Sequence, residues 1–192
     1  MELLTVSFRT IPCEGDIIAI RSIITSTNAF RTEEISVAVD LLKERLRIGI
    51  ASGYHFVFAE ENNDIIGYTC FGPIACTVAS YDIFWIAVAK EHHGRKIGSA
   101  LMVETEQQIT AMGGKRIYIE TSSHSNYQAT RGFYQRHGYT VEATIKNFYD
   151  DNDDKIIYLK DLRDSYPSRN TLCFASVSNI LESHNEVGAS QT

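Results

Sequence analysis

Residues 81–112 read YDIFWIAVAKEHHGRKIGSALMVETEQQITAM and change character twice within that span. The opening, Ile83-Phe84-Trp85-Ile86-Ala87-Val88, is an apolar run rich in β-branched and aromatic side chains, which predicts a strand. A short polar turn follows, from His93 to Gly98. Leu101, Met102, Thr105, Ile109 and Met112 then recur at helical spacing on one face, and Gly113-Gly114 stops the pattern. Strand, glycine-containing turn and helix together aim backbone N–H groups and the positive end of a helix at one point, which suits an anion. Gly94 and Gly98 leave room for close approach to the main chain, and Arg95 and Lys96 add positive charge at the mouth. Neither GxxxxGK[ST] nor GxGxxG is present here, so a nucleotide is not the favoured anion.

Downstream, Lys115–Glu120 (KRIYIE) predicts another strand, and residues 126–138 predict a helix that ends on Gly138. Two pieces of this sequence resemble the GNAT superfamily of acyl-CoA N-acyltransferases. HHGRKIGSAL is similar to its pyrophosphate-binding signature, Q/R-x-x-G-x-G/A, with His93 at the Gln/Arg position, Lys96 in place of the first glycine and Gly98 as the second. A lysine fits there if its φ stays negative, because the contacts are made by main-chain N–H groups. Asn126, Ala129, Phe133, Tyr134, Gly138 and Tyr139 are similar to the family's second hallmark, a strand followed by a helix. The resemblance covers about residues 3–162. It implies an α/β domain of the α+β type, with a mixed, mostly antiparallel sheet flanked by helices and two central strands that splay apart. It also implies acetyl-CoA as co-substrate. The pantetheine arm would pair with the main chain of Ile86–Val88 (Ile86, Ala87, Val88), and His93, Gly94, Arg95, Lys96, Ile97, Gly98 and Ser99 would hold the pyrophosphate. Asn126 would contact the arm.

The same resemblance gives Tyr134 the role of general acid toward the departing thiolate. The chemistry is sound, since a phenol near pKa 10 can protonate a thiolate near 8.5 when the two are close. The acceptor amine needs a base, directly or through water, and Asp82 and Glu120 are the candidates, Glu120 at the end of a strand where ligand crevices form. Either carboxylate reads equally as a surface or loop-anchoring group. With no Ser/His/Asp or Cys/His set in the sequence, direct transfer in a ternary complex is expected rather than an acyl-enzyme. The reading from another class is a non-catalytic acyl-CoA sensor, which would need the turn but not Tyr134.

The remaining sequence sets bounds. The 192 residues suit one core-forming domain, and 44% hydrophobic with 22% charged content is that of a globular chain. A net charge of −6 speaks against nucleic acid as a partner and is compatible with a cationic or neutral amine. MELLTVSFRT lacks a signal-peptide pattern and no run has transmembrane length, so no membrane association and a cytoplasmic location are expected. Four scattered cysteines without a CxxC pair read as free thiols. His92-His93 suggests no metal site, because adjacent side chains point apart and no further ligand lies at a suitable spacing.

Along the chain, Leu3–Arg9 predicts a first strand, Asp16 a helix cap followed by Ile17, Ile20 and Ile24, and Thr32 a second helix running to Gly49. Residues 54–59 and 65–71 predict a hairpin turning at Asn62-Asn63-Asp64, with His55 structural and Trp85 a core residue. Arg131 reads as a phosphate ligand or as a solvated helix charge. Residues 139–148 and 155–160 predict a last hairpin, with Asp150–Asp154 (DDNDD) a solvated turn rather than a calcium loop, since Lys155 stands where that loop needs glycine. Residues 163–192 read as an extension, docked, disordered or mediating a homodimer, with a short helix expected over 176–183.

Overall fold

The structure, a computed structural model, describes residues 6–28 and 30–163. The elements run β1 (Ser7–Arg9), α1 (Asp16–Thr27), α2 (Thr32–Ile48), β2 (His55–Glu61), β3 (Asp64–Pro73), β4 (Ser80–Val88), α3 (Ile97–Ala111), β5 (Arg116–Ser122), α4 (Gln128–Arg136), β6 (Thr140–Asp150) and β7 (Asp153–Asp161). The strands form one sheet in the order β1-β2-β3-β4-β5-β7-β6. Every neighbouring pair is antiparallel except β4 and β5. This is the mixed, mostly antiparallel sheet flanked by helices that the sequence predicts. Leu3–Thr5, the start of the expected first strand, and residues 164–192, with the short helix expected there, lie outside the described residues.

The sheet's centre is buried on both faces, so its strands read as continuous apolar runs rather than alternating ones. In β2, Phe56 and Phe58 point into a core with Ile20 and Ile24 of α1 and Val39 and Leu42 of α2. Val57 and Ala59 point the other way, into a core with Leu101, Met102 and Ile109 of α3. Each fully buried side chain of this size contributes on the order of 1.5–3 kcal/mol. Thr105 sits within the apolar stripe of α3, and its hydroxyl is paired with that of Thr69 on β3 at 2.7 Å. That bond fixes how α3 lies across the sheet without leaving a buried hydroxyl unpaired. His55 stacks on Phe71 with ring centres 5.5 Å apart, as a structural histidine.

Several local expectations are corrected. Gly15, not Asp16, is the N-cap of α1. The Asp16 carboxylate is buried and accepts from Arg9 at 2.8 and 3.0 Å and from the Cys13 N–H at 2.8 Å. An anion deep in the protein needs that guanidinium more than the helix needs a cap. The last helix begins later than expected, because Ser125–Tyr127 form a separate 3₁₀ turn. DDNDD is not a solvated turn throughout: only Asp151-Asn152 turn, and Asp153 and Asp154 already belong to β7. Asp154 accepts from Lys146 at 2.7 Å and from the Asn147 N–H at 3.0 Å, while Asp153 accepts from the Ser122 hydroxyl.

Candidate active site

β4 and β5 pair for only three residues, Ser80–Asp82 against Arg116–Tyr118. Beyond that point β4 stays with β3 as far as Val88, and β5 stays with β7 as far as Ser122. The two strands therefore diverge, and a groove of about 1260 Å³ opens where they separate. The Ala89 N–H bonds to the Ile66 carbonyl at 2.9 Å. By the alternation of an antiparallel ladder, Ala89 and Ala87 then direct their main-chain groups to β3, and Ile86 and Val88 direct theirs to the groove. Ala87, expected to serve the ligand alongside them, turns its methyl into the core under α1. The Val88 carbonyl accepts from His93 Nε2 at 2.9 Å, which folds the turn back against its own strand.

The groove continues onto the N-terminus of α3. Lys96 is the N-cap, and the first intrahelical bond runs from the Ala100 N–H to the Lys96 carbonyl at 3.1 Å. The N–H groups of Lys96, Ile97, Gly98 and Ser99 thus lack partners within the helix. Lys96 itself is a correction: its φ is +62°, in the left-handed region rather than negative. Holding a lysine there costs about 1 kcal/mol, the physical reason for glycine at such a position. Gly94, at φ +79°, is required by its backbone. Gly98 is not required by the fold: a Cβ there would meet nothing closer than the Phe133 ring at 3.6 Å. What its missing side chain provides is a bare main chain at the groove-lining start of the helix, a cradle that fits a pyrophosphate.

Arg95 points elsewhere than expected. Its guanidinium bonds to Glu61 at 2.5 and 3.0 Å and to His92 Nδ1 at 2.7 Å, tying the turn to the end of β2. Its side chain does not line the groove; Lys96, His92 and Arg136 do. Arg131 has a role that neither reading foresaw: its Nη1 donates to the carbonyls of Ser122 and His124, both at 2.8 Å. That clamp shapes the 3₁₀ turn on which exposed Asn126 faces the groove.

Tyr134 comes from α4, is 5% exposed, and faces the groove. Its ring lies 5.7 Å from Tyr158 and 6.2 Å from Tyr139. Burial, reinforced by the Tyr158 and Tyr127 phenols, holds its hydroxyl well above the usual tyrosine range, so it keeps its proton at neutral pH. Asp82 and Glu120 both line the groove, on the two diverging strands. Burial and the Glu120 charge push the Asp82 carboxyl up to about 6, against a smaller opposing pull from Lys155. Glu120 is paired with Lys155 at 2.6 Å. The Lys155 ammonium also sits 3.7 Å above the Phe148 ring. Trp85 packs on the core beneath α1 as expected, and on Phe30 at 5.0 Å; being only partly buried, it also lines the groove with Phe30.

Lys155, Phe30, Glu34, Tyr149 and Asp153 were not singled out by the sequence. Phe30 comes from the turn before α2, Glu34 from α2, and Tyr149 and Asp153 from the β6–β7 hairpin, with Lys155 behind them paired to Glu120, through register that no local motif encodes. Among the described residues no group of three His, Cys, Asp or Glu is placed to hold a metal, and no helix is long and apolar enough to cross a membrane.

Residues 52–141 match the family model for the acetyltransferase (GNAT) domain. No curated protein matches the chain. Among solved structures, a GNAT-family protein from Desulfovibrio desulfuricans is 42% identical, with a TM-score of 0.81, over 82% of this chain and 99% of that one. The ribosomal-protein-S18-alanine N-acetyltransferase of Escherichia coli shares the fold at 17% identity and a TM-score of 0.67, over 86% and 98% of the two chains. The PaiA N-acetyltransferase of Thermoplasma acidophilum, solved with coenzyme A, does so at 20% and 0.63, over 82% and 99%. The match at 42% identity spans nearly the whole of its partner, and the family model falls on the strand, turn and helix that build the groove. The chain belongs to the GNAT family and is an acetyltransferase.

Proposed function

We propose that the protein transfers an acetyl group from acetyl-CoA to a primary amine of a small molecule or peptide, by direct attack in a ternary complex. The observation that carries this reading is the coincidence of three features in one groove. The outward main chain of Ile86 and Val88 leads to the unpartnered N–H groups of α3, and Tyr134 and Asp82 both line the space.

Acetyl-CoA, when bound, supplies a thioester carbonyl. The N–H groups of Ile97, Gly98 and Ser99 hold the pyrophosphate, aided by the positive end of α3 and by Lys96. Asp82, on one wall, takes a proton from the incoming ammonium, directly or through one water, so that the nitrogen lone pair is free to form the new C–N bond. A carboxyl near 6 is ionised at neutral pH yet more basic than an ordinary aspartate. Glu120, held by Lys155, places its carboxylate beside Asp82 and so adds to that basicity. Tyr134 gives its proton to sulfur as the C–S bond breaks, and the second proton shed by the acylated nitrogen returns to the phenolate. The raised pKa of Tyr134 ensures that the proton is present to give.

The test is release of CoA thiol from acetyl-CoA across a panel of amines, for the parent and for Tyr134→Phe. An amine-dependent release that falls by roughly ten- to a thousand-fold in the variant supports the acid role. An unchanged rate removes Tyr134 from the mechanism. Tight acetyl-CoA binding without release to any amine overturns the transfer reading itself.

A further inference from the structure

The two ends of the groove carry opposite charge. Around the turn stand Lys96 and Arg136 with His92 and His93, which suits an anionic donor. At the other end, Glu34, Asp82, Glu120, Asp150 and Asp153 line the wall, against two cations, Arg31 in the wall and Lys155 behind it. Five carboxylates against two cations leave an excess of three negative charges. Four of the carboxylates form one connected set: Glu120 raises Asp82, and Glu120, Asp153 and Glu34 all act on the Tyr149 hydroxyl, which burial and their charges push up to about 12. The phenol of Tyr134, more than nine-tenths buried and without a hydrogen-bond partner among the described residues, faces the same space.

Resting on the acetyl-transfer reading above, we infer that the acceptor is a small dication: an amine that carries a second group, positive at neutral pH, beyond the one acetylated. The reacting amine must be neutral when it attacks, and its proton passes to Asp82. That leaves four carboxylates, Glu34, Glu120, Asp150 and Asp153, against the same two cations. A monoamine brings nothing to offset this excess, whereas a second ammonium or guanidinium does. The wall also supplies aromatic faces for such a group, from Tyr149, Phe30 and Trp85. The protein's own Lys155 displays the arrangement, with its ammonium held between the Glu120 carboxylate at 2.6 Å and the Phe148 ring at 3.7 Å. By the same charges an amine bearing a free carboxylate is repelled.

A four-carbon straight-chain series isolates charge from size: diaminobutane, butylamine and aminobutanoate, each assayed for kcat/KM with acetyl-CoA by thiol release, alongside calorimetry of acetyl-CoA binding. The expected order is diaminobutane above butylamine by about tenfold or more, and aminobutanoate below butylamine by about tenfold, with the spread shrinking as ionic strength rises. The double variant Glu34→Gln/Asp150→Asn should narrow the advantage of diaminobutane over butylamine to less than about threefold. Equal values across the series, or a preference for aminobutanoate, overturn the dication while acetyl transfer stands. No release with any of the three, with acetyl-CoA demonstrably bound, overturns both.

Discussion

The two ends of the groove are made of different material. The donor end is mostly main chain: outward groups of Ile86 and Val88, then the free N–H groups at the start of α3. Its side chains matter chiefly by being absent, as at Gly98, or by bracing the turn from behind, as Arg95 does on Glu61. The acceptor end is almost wholly side chain, drawn from α2, β4, β5, β6 and β7. Main-chain sites recognise what is common to every reaction of a family, because any sequence that keeps the backbone path keeps the site. Side-chain sites can be rewritten one residue at a time, and so can differ in substrate between proteins that share a fold. Substitutions at the two ends should therefore fail in different ways.

The largest effect is expected at the acceptor end. Asp82→Asn should lower kcat/KM by roughly a hundredfold or more and abolish the fall in rate as pH drops through about 6, while acetyl-CoA binding is retained. A pH–rate profile for parent and variant checks this. The same substitution carries a signature in stability. The folded state holds the Asp82 proton up to about 6 and the unfolded chain only to its ordinary value near 3.8, so stability is lost as pH rises between those values. Asp82→Asn should accordingly stabilise the protein at pH 7 and not at pH 4. Allowing for solvent screening at a half-buried site, the gain is about 1 kcal/mol, readable as a shift in urea midpoint.

At the donor end, Gly98→Leu should raise KM for acetyl-CoA by about tenfold or more, because the new side chain fills the space before the helix N-terminus. With no contact under 3.6 Å at its Cβ, it should alter stability by less than about 1 kcal/mol, and calorimetric titration beside a urea melt separates the two. A variant that binds acetyl-CoA normally would break the contrast between the ends. The smallest effect belongs to Lys96→Gly. It relieves a left-handed lysine but adds freedom to the unfolded chain, for a net gain of about 0.5 kcal/mol in urea unfolding. KM for acetyl-CoA should rise a few-fold with the lost charge, while kcat at saturation should change little, since the N–H group at that position is kept.

What the sequence disclosed follows the same division. The donor end was readable because its parts are contiguous: strand, turn and helix lie within residues 81–112, and each has a local signature. The hallmark around Asn126 and Tyr134 was readable for the same reason, although the 3₁₀ turn and the Arg131 clamp that shape it were not. At the acceptor end, Asp82 and Glu120 were found as carboxylates on facing strands, but nothing local distinguished them. The distinction comes from Lys155, which β7 brings beside Glu120 through the register that sets Ser122 against Lys155 and Glu120 against Ile157. Trp85 was legible as a residue packed on the core, because its neighbours in sequence are apolar. That it also lines the groove was not, since this depends on Phe30, its neighbour in space, which follows the first helix. The left-handed Lys96 and the burial of Asp16 against Arg9 are likewise settled by tertiary geometry over local preference.

The three-rung pairing of β4 with β5 has a consequence for the life of the protein. A sheet that opens partway along is a weak seam between β1–β4 on one side and β5–β7 on the other, bridged over the diverging stretch by packing against α3 and α4. A molecule that lies along that seam and bonds to both the outward main chain of β4 and the start of α3 acts as a strand the chain does not itself encode. It ties the halves together and adds RT ln(1 + [L]/Kd) to the free energy of unfolding. Resistance to heat and proteolysis then tracks the supply of that molecule.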